Sequence, residues 1–173
     1  MTLHIPERLV KEVESRGLDI VDLIISALYG ELNPRIITES RIELAERYLS
    51  EARSYLDKGD SIQASEKMYK VVEECIKALA EYYKVPELEE MRKGGKWLTW
   101  LLGSTARTLA EKLNEPKIEY VWTVAYDIHV WDFHEAKYTI DKIRMDVQHV
   151  EWLLNFTKQV VKQKDPLTST SSR

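Results

Sequence analysis

Residues 138–161 carry two apolar stripes at helical spacing, and this double pattern constrains the fold more than any other feature of the chain. The first stripe consists of Ile140, Ile143, Val147, Val150, Leu154 and Val161. The second consists of Met145, His149, Trp152, Phe156 and Val160, and at about 100° per residue it lies nearly opposite the first. A helix that is apolar on both sides needs cover on both sides. We therefore expect a helical bundle that buries the first stripe. The second stripe would be covered either by an N-terminal helix pair or the segment around Trp97, or by a second copy of the chain.

The composition favours the same all-α class. Only six Gly and five Pro interrupt 173 residues, which leaves little material for the turns of an all-β protein. The formal net charge of -4 argues against a protein that binds nucleic acid through overall charge alone. The single Cys75 excludes an internal disulfide, and the lack of an apolar run of about 18 residues predicts no membrane span. We expect a cytoplasmic protein without a membrane partner, and the low Asn and Gln content beside abundant Lys and Glu is typical of thermophiles.

Helix start and stop signals divide the chain into successive helices. They predict helices over residues 6–16, 19–30, 34–58, 60–82, 97–113, 116–135 and 138–161. Asp60 can cap the fourth of these, with Gln63 three residues on, and the short link after Lys58 makes the third and fourth helices antiparallel neighbours. We expect three parts: an N-terminal helical hairpin over residues 1–33, a helical bundle over 34–163, and a polar, disordered tail over 164–173.

The histidines suggest one candidate pocket. His129 shares a helical stripe with Trp122, Tyr126 and Phe133, so it either packs among aromatic side chains or helps to line a small polar pocket. In the second case Tyr126, His129, His134 and Glu135 are the candidate binding residues. His129 and His134 are five residues apart, which places them about 140° apart on an α-helix. We therefore expect no metal site there, and no cofactor.

Asp132 and Glu135 are three residues apart and would share a helix face as a pair of carboxylates. Such pairs on an exposed helix are common and usually indicate a solvated surface, so we expect no acid–base catalysis from them.

A second candidate site is a basic and aromatic cluster in the middle of the chain. It comprises Arg92, Lys93, Lys96, Trp97 and Trp100, with Arg107 as a further cation. Bases can stack on Trp while Lys and Arg contact phosphate, so the cluster would suit a nucleotide or single-stranded RNA. The alternative is an amphipathic helix with its aromatic residues inward and its cations in solvent.

Two stretches resemble a known family. The string GDSIQASEKMYKVVEECIKALA, residues 59–80, is similar to the second helix of the HEPN superfamily, and more narrowly to the archaeal PaREP family of small helical proteins. The string IHVWDFHE, residues 128–135, is similar to the His-containing segment before the last helix of that family. The resemblance covers about residues 36–161. It implies an up-down helical bundle that often forms homodimers and sometimes binds nucleotides.

Toxin members of the superfamily cleave RNA without metal through an Arg-x-x-x-x-His motif. Arg144 and His149 match this motif, which makes them the candidate catalytic residues that the resemblance implies. They lie about 140° apart on a helix, so two chains would be needed to bring them together.

We expect a homodimer formed through the C-terminal helix that associates with RNA or a nucleotide without catalysis. The alternatives are a metal-independent ribonuclease toxin, a helical oligomer without a ligand, and, more remotely, a DNA-binding module in which residues 2–5 form a strand.

Overall fold

The computed structural model describes residues 4–16 and 18–163, and these residues form helices joined by short loops. The α-helices are α1 (Glu7–Ser15), α2 (Ile20–Ala27), α3 (Pro34–Asp57), α4 (Ser61–Tyr83), α5 (Glu87–Gly94), α6 (Thr99–Leu113), α7 (Lys117–Ile128) and α8 (Ile140–Gln163). A π-helix, His129–His134, continues α7. The predicted all-α class is confirmed. The proposed tail of residues 164–173 and residues 2–3 of the hypothetical strand lie outside the described residues.

The helix ends follow local signals in the sequence. The Asp19 carboxylate accepts a hydrogen bond from the Asp22 N–H at 3.0 Å, and the Asp60 carboxylate accepts one from the Gln63 N–H at the same distance. Each bond satisfies an N–H that would otherwise lack a partner in the first helical turn. The predicted cap of α4 is therefore confirmed, and Asp19 caps α2 in the same way. The sequence analysis missed α5, whose eight residues carry too few apolar positions to show a period.

Helix α4 is the centre of the bundle, because α3, α6, α7, the π-helix and α8 all pack against it. Every residue from Val71 to Glu81 is buried. The most extensive packing is between α3 and α4, which agrees with the antiparallel pair predicted from the short Gly59 turn. Full burial of α4 places its charged side chains inside the protein, where they need partners.

Helix α8 buries its first apolar stripe as predicted, with Ile143, Val150 and Leu154 almost fully inaccessible. The second stripe is divided. Trp152 and Phe156 are half-buried against the core and stack on each other, whereas Met145 is 68% exposed. The predicted cover from the N-terminal pair or the Trp97 segment is wrong where Trp152 is concerned, because α7 supplies the Lys117 ammonium 4.4 Å from the centre of the indole.

No helix within the described ranges is both long enough and apolar enough to cross a lipid bilayer.

Candidate functional site

A cleft of about 730 Å³ lies between α1 and α2 on one side and α3 and α4 on the other. The turn between α5 and α6 also lines it. Its charged lining residues are Glu14, Asp19, Asp22, Arg47, Glu66, Lys70, Glu73, Lys77 and Lys96. Tyr48 and Trp97 add aromatic surface. A volume of this size can hold a small organic ligand.

The inner wall of the cleft is a buried network of ion pairs. Arg41 donates to Glu74 at 2.9 Å and to Asp22 at 2.8 Å, and Lys77 donates to the second oxygen of Asp22 at 2.9 Å. Arg41, Glu74 and Lys77 are almost inaccessible to solvent. Since Asp22 belongs to α2, these bonds attach the N-terminal hairpin to the bundle.

The network keeps Asp22 and Lys77 charged. Burial alone would raise the pKa of Asp22, but Lys77 and Arg41 outweigh burial and hold that pKa below its ordinary value. Burial would likewise lower the pKa of Lys77, and the carboxylates of Glu74, Glu73 and Asp22 raise it instead. The Lys77 ammonium and the Asp22 carboxylate therefore stay ionised beside the cleft at neutral pH.

Lys96 and Trp97 are the two members of the predicted basic and aromatic cluster that line the cleft. Within the described part of the chain, Lys96 has no ion-pair partner. The indole Nε1 of Trp97 is buried and has no hydrogen-bond acceptor among the residues that the structure describes. A buried N–H without an acceptor is rare in folded proteins and indicates a water or ligand at that position.

The other members of the cluster lie elsewhere. The Arg92 guanidinium stacks on Tyr29, 3.8 Å from the ring centre, while Lys93 is exposed. Trp100 is 57% exposed. The alternative interpretation, with the aromatic residues inward and the cations outward, thus describes Trp97 and Lys93 but not Trp100.

His129 and His134 come together at the end of α7. Their Nε2 atoms are 3.1 Å apart. The prediction that the two side chains diverge by about 140° is wrong, because residues 129–134 form a π-helix in which the fifth residue on returns to the same face.

The His129 ring is stacked between two aromatic rings. Its centre lies 4.0 Å from that of Tyr69 and 5.3 Å from that of Phe133, and both pairs are nearly parallel. The predicted packing among aromatic residues is therefore correct for Phe133, while the sequence analysis missed Tyr69 on α4. Burial, with smaller contributions from His134 and Lys70, lowers the pKa of His129 to about 4, so its ring is neutral at pH 7.

The histidine pair adjoins the cleft. Tyr69 stacks on His129, and the next residue of α4, Lys70, lines the cleft. Tyr126 is 44% exposed and stacks on Trp122, which in turn contacts Tyr69. The structure thus places the histidine pair near Lys70, a lining residue of the cleft that also contains Lys96 and Trp97.

The prediction that Asp132 and Glu135 share a helix face is wrong. Asp132 is fully buried and accepts a hydrogen bond from the Ser65 hydroxyl at 2.8 Å and another from the Tyr138 N–H at 3.1 Å. Glu135 ends the π-helix and is exposed. The π-helix separates the two carboxylates, since it winds more slowly than the α-helix assumed from the spacing.

Arg144 and His149 contact different helices. The Arg144 guanidinium donates to the carbonyl of Leu56 at the end of α3. The His149 ring meets the edge of Tyr120 on α7, with 5.1 Å between ring centres. Within one chain the two side chains therefore diverge, as their spacing predicts.

The sequence analysis missed the residues of the ion-pair network. The available signal was a pair of carboxylates, Glu73 and Glu74, followed by Lys77 in a helix whose neighbouring positions are apolar. Charged residues in a helix without a polar face are buried and paired, and they mark an internal polar site.

The chain was compared with known families and structures. The model of the archaeal PaREP1/PaREP8 family matches residues 40–154. A crystal structure of a protein from Sulfolobus solfataricus is similar, with a TM-score of 0.61 and 31% sequence identity, and the match covers 66% of this chain and 93% of that one. No curated protein matches the chain. The family match includes Lys70, Lys77, Lys96 and Trp97. It begins at residue 40 and therefore does not include α1 and α2.

Proposed function

The chain belongs to the archaeal PaREP1/PaREP8 family, and we propose that it binds a nucleoside monophosphate, free or as the end of a single-stranded RNA, in the cleft between its N-terminal hairpin and its bundle. The observation that carries this proposal is the buried Nε1 of Trp97, for which the described residues offer no acceptor, although Trp97 lines the cleft beside Lys96. A base or phosphate oxygen would accept this hydrogen bond.

The charges of the cleft favour a ligand with few negative charges. Asp22 is neutralised by Arg41 and Lys77, and Glu73 lies 3.4 Å from the Lys70 ammonium. Within the described residues, the lining carboxylates Glu14 and Glu66 are unpaired. A single phosphate group at Lys96 would contact the ammonium of that residue. A triphosphate would extend toward Glu14 and Glu66, and their carboxylates would repel it.

The aromatic residues and the start of α6 supply the other contacts. Tyr48 and Trp97 offer rings on which a base can stack, and each stacked base contributes about 1–3 kcal/mol to binding. Helix α6 begins at Thr99, and Leu98 before it provides no side-chain cap. The unpaired N–H groups and the positive dipole end of α6 therefore lie close in sequence to Lys96, where they favour an anion.

The proposal is tested by isothermal titration calorimetry with AMP and UMP at low salt. We expect one site per chain, and we expect Lys96→Ala to weaken binding by roughly tenfold, since it removes one charge-assisted contact. Trp97→Phe keeps a ring in the same place but removes the N–H donor, so it should also weaken binding.

Lys93→Ala is the matched control, because Lys93 is exposed three residues away and does not line the cleft. Its affinity should equal that of the unaltered chain. Equal losses in Lys93→Ala and Lys96→Ala would place the ligand on the outer surface near Trp100 and contradict the cleft site. Absence of heat with either nucleotide at millimolar concentration would also contradict it.

We also propose that the fold is a HEPN-like bundle. The support is the resemblance of residues 59–80 and 128–135 to that superfamily.

We further propose that two chains associate through the surface of α7 and α8. The exposed side chains of Tyr120 and Met145 on that surface support this proposal. Light scattering after size-exclusion chromatography tests the dimer. Met145→Asp should shift the mass from two chains to one, and Leu9→Asp, which alters an exposed apolar residue on α1, should not.

We propose binding without catalysis. A ribonuclease would need Arg144 and His149 to converge on one phosphate, and Arg144 is instead bonded to the Leu56 carbonyl. Labelled RNA incubated with the purified chain should remain intact. Cleavage that His149→Ala abolishes would support the ribonuclease alternative.

A further inference from the structure

The histidine pair has the geometry of a metal chelate. A zinc ion binds imidazole nitrogen at about 2.0–2.1 Å, so two nitrogens on one ion are about 2.9 Å apart at a right angle and about 3.4 Å apart at a tetrahedral angle. The Nε2 atoms of His129 and His134 are 3.1 Å apart, between these two limits. Both atoms can therefore bind the same ion with small adjustments of the rings.

The surroundings of His129 direct one particular nitrogen to a ligand. Tyr69 and Phe133 hold the ring from both sides, and the Nδ1 atom is buried without a hydrogen-bond partner in residues 4–16 and 18–163. Nε2 is therefore the nitrogen through which this ring can bind another group. Phe133 also contacts the His134 ring, with 4.9 Å between ring centres, so a single residue positions both imidazoles.

The π-helix that creates the pair is itself anchored. Asp132, within the same six residues, is bonded to Ser65 of α4 and to the backbone of Tyr138. These bonds hold the end of the π-helix against the core. The ligands of a metal would therefore be arranged before the metal arrives, which reduces the entropy lost on binding.

We propose that His129 and His134 form a two-imidazole binding site for a divalent transition metal such as Zn²⁺, with the remaining coordination positions open to water or to a ligand. Imidazole nitrogen is a preferred ligand of these ions. His134 is exposed, so an ion can reach the pair from solvent. The nearby Lys70 does not prevent binding, because Glu73 lies 3.4 Å from its ammonium.

The metal site does not depend on the nucleotide proposed for the cleft. A negative result for metal binding would therefore not contradict nucleotide binding, and the reverse also holds. Within the described residues there is no cluster of three or more His, Cys, Asp or Glu side chains that could hold a metal. The site is accordingly one with two protein ligands, and we expect it to bind more weakly than a structural zinc site.

The test is calorimetric titration of the full, tag-free chain with Zn²⁺ in a non-chelating buffer at pH 7.5. We expect one ion per chain. His134→Ala should weaken binding by roughly tenfold or more, because one of two ligands is lost. His134→Cys should restore much of the affinity, since a thiolate is also a zinc ligand.

His149→Ala and His4→Ala are the controls, because these histidines lie outside the pair, and both variants should bind like the unaltered chain. Cys75 is buried and cannot compete for the ion. Unchanged affinity in His134→Ala, or no binding at half-millimolar Zn²⁺, would overturn the proposal and leave the contact as a hydrogen bond between the two rings. Circular dichroism of His134→Ala verifies that the exposed substitution leaves the fold intact.

Discussion

The Ser65 hydroxyl of α4 donates a hydrogen bond to the Asp132 carboxylate of the π-helix at 2.8 Å, and both side chains are fully buried. The two residues are 67 positions apart in the chain. Their bond joins the central helix to the segment that carries the histidine pair. It therefore couples the interior of the bundle to the geometry of a candidate site at the surface.

Loss of this bond should destabilise the protein. Ser65→Ala leaves a buried carboxylate oxygen without its donor, which costs about 1–3 kcal/mol. Urea denaturation followed by circular dichroism measures the change. Ser50→Ala on the exposed side of α3 is the control and should lie within about 0.5 kcal/mol of the unaltered chain. Equal values for the two variants would contradict a structural role for Ser65.

The buried ion network should respond differently to single and double substitutions. Arg41→Met leaves Glu74 buried without its main partner and should cost about 3–5 kcal/mol in unfolding free energy. Arg41→Met combined with Glu74→Met removes one charge of each sign and leaves Asp22 paired with Lys77, so it should cost clearly less.

Arg16→Ala is the surface comparison for this network, because Arg16 and Glu12 form an exposed pair. Its cost should be about 0–1 kcal/mol. A double variant at least as unstable as Arg41→Met alone would show that the network contributes net stability beyond charge compensation.

Glu81 gives a pH-dependent prediction. Burial is the main cause of its raised pKa, with Asp22 adding to the shift and Arg41 opposing it. A raised carboxyl pKa means that the folded state favours the protonated form, so stability is lost as pH rises through the folded pKa. Glu81→Gln should therefore be more stable than the unaltered chain at pH 7, and the difference should shrink below the ordinary carboxyl pKa of 4.5.

Urea unfolding at pH 4 and pH 7 measures this difference. The control is Glu89→Gln, an exposed carboxylate on α5. A Glu81→Gln variant that is less stable at pH 7 would show that the ionised carboxylate has a stabilising partner.

Gly103 in α6 should not tolerate a side chain. A Cβ there would lie 3.0 Å from Nε1 of Trp122, whose ring is buried between Tyr69 and Tyr126. Gly103→Ala gains roughly 0.5–1 kcal/mol of helix propensity, but overpacking costs about 1–3 kcal/mol. We expect a net loss of stability in urea denaturation, and the additional change Trp122→Phe should recover part of it. A more stable Gly103→Ala variant would contradict this account.

The candidate site was only partly predictable. Lys96 and Trp97 were identified because basic and aromatic residues alternate within a few positions of the chain. Lys70 and Lys77 were missed, although Lys77 stands with Glu73 and Glu74 among apolar positions of its helix. The pattern does not say which partners surround Lys77, and α2 supplies the Asp22 carboxylate that pairs with it.

The sequence by itself determined the described α-helices other than α5, the cap of α4 and the buried stripe of α8, because periodicity and capping act between residues three or four positions apart. Asp60 caps α4 through the Gln63 N–H, and no distant residue is needed. The tertiary structure alone decided that residues 129–134 wind as a π-helix and that His129 meets His134. A change from i−4 to i−5 backbone hydrogen bonding has no local sequence signal. Here the change accompanies the burial of Asp132 against Ser65. That contact exists only once α4 and α7 have packed together.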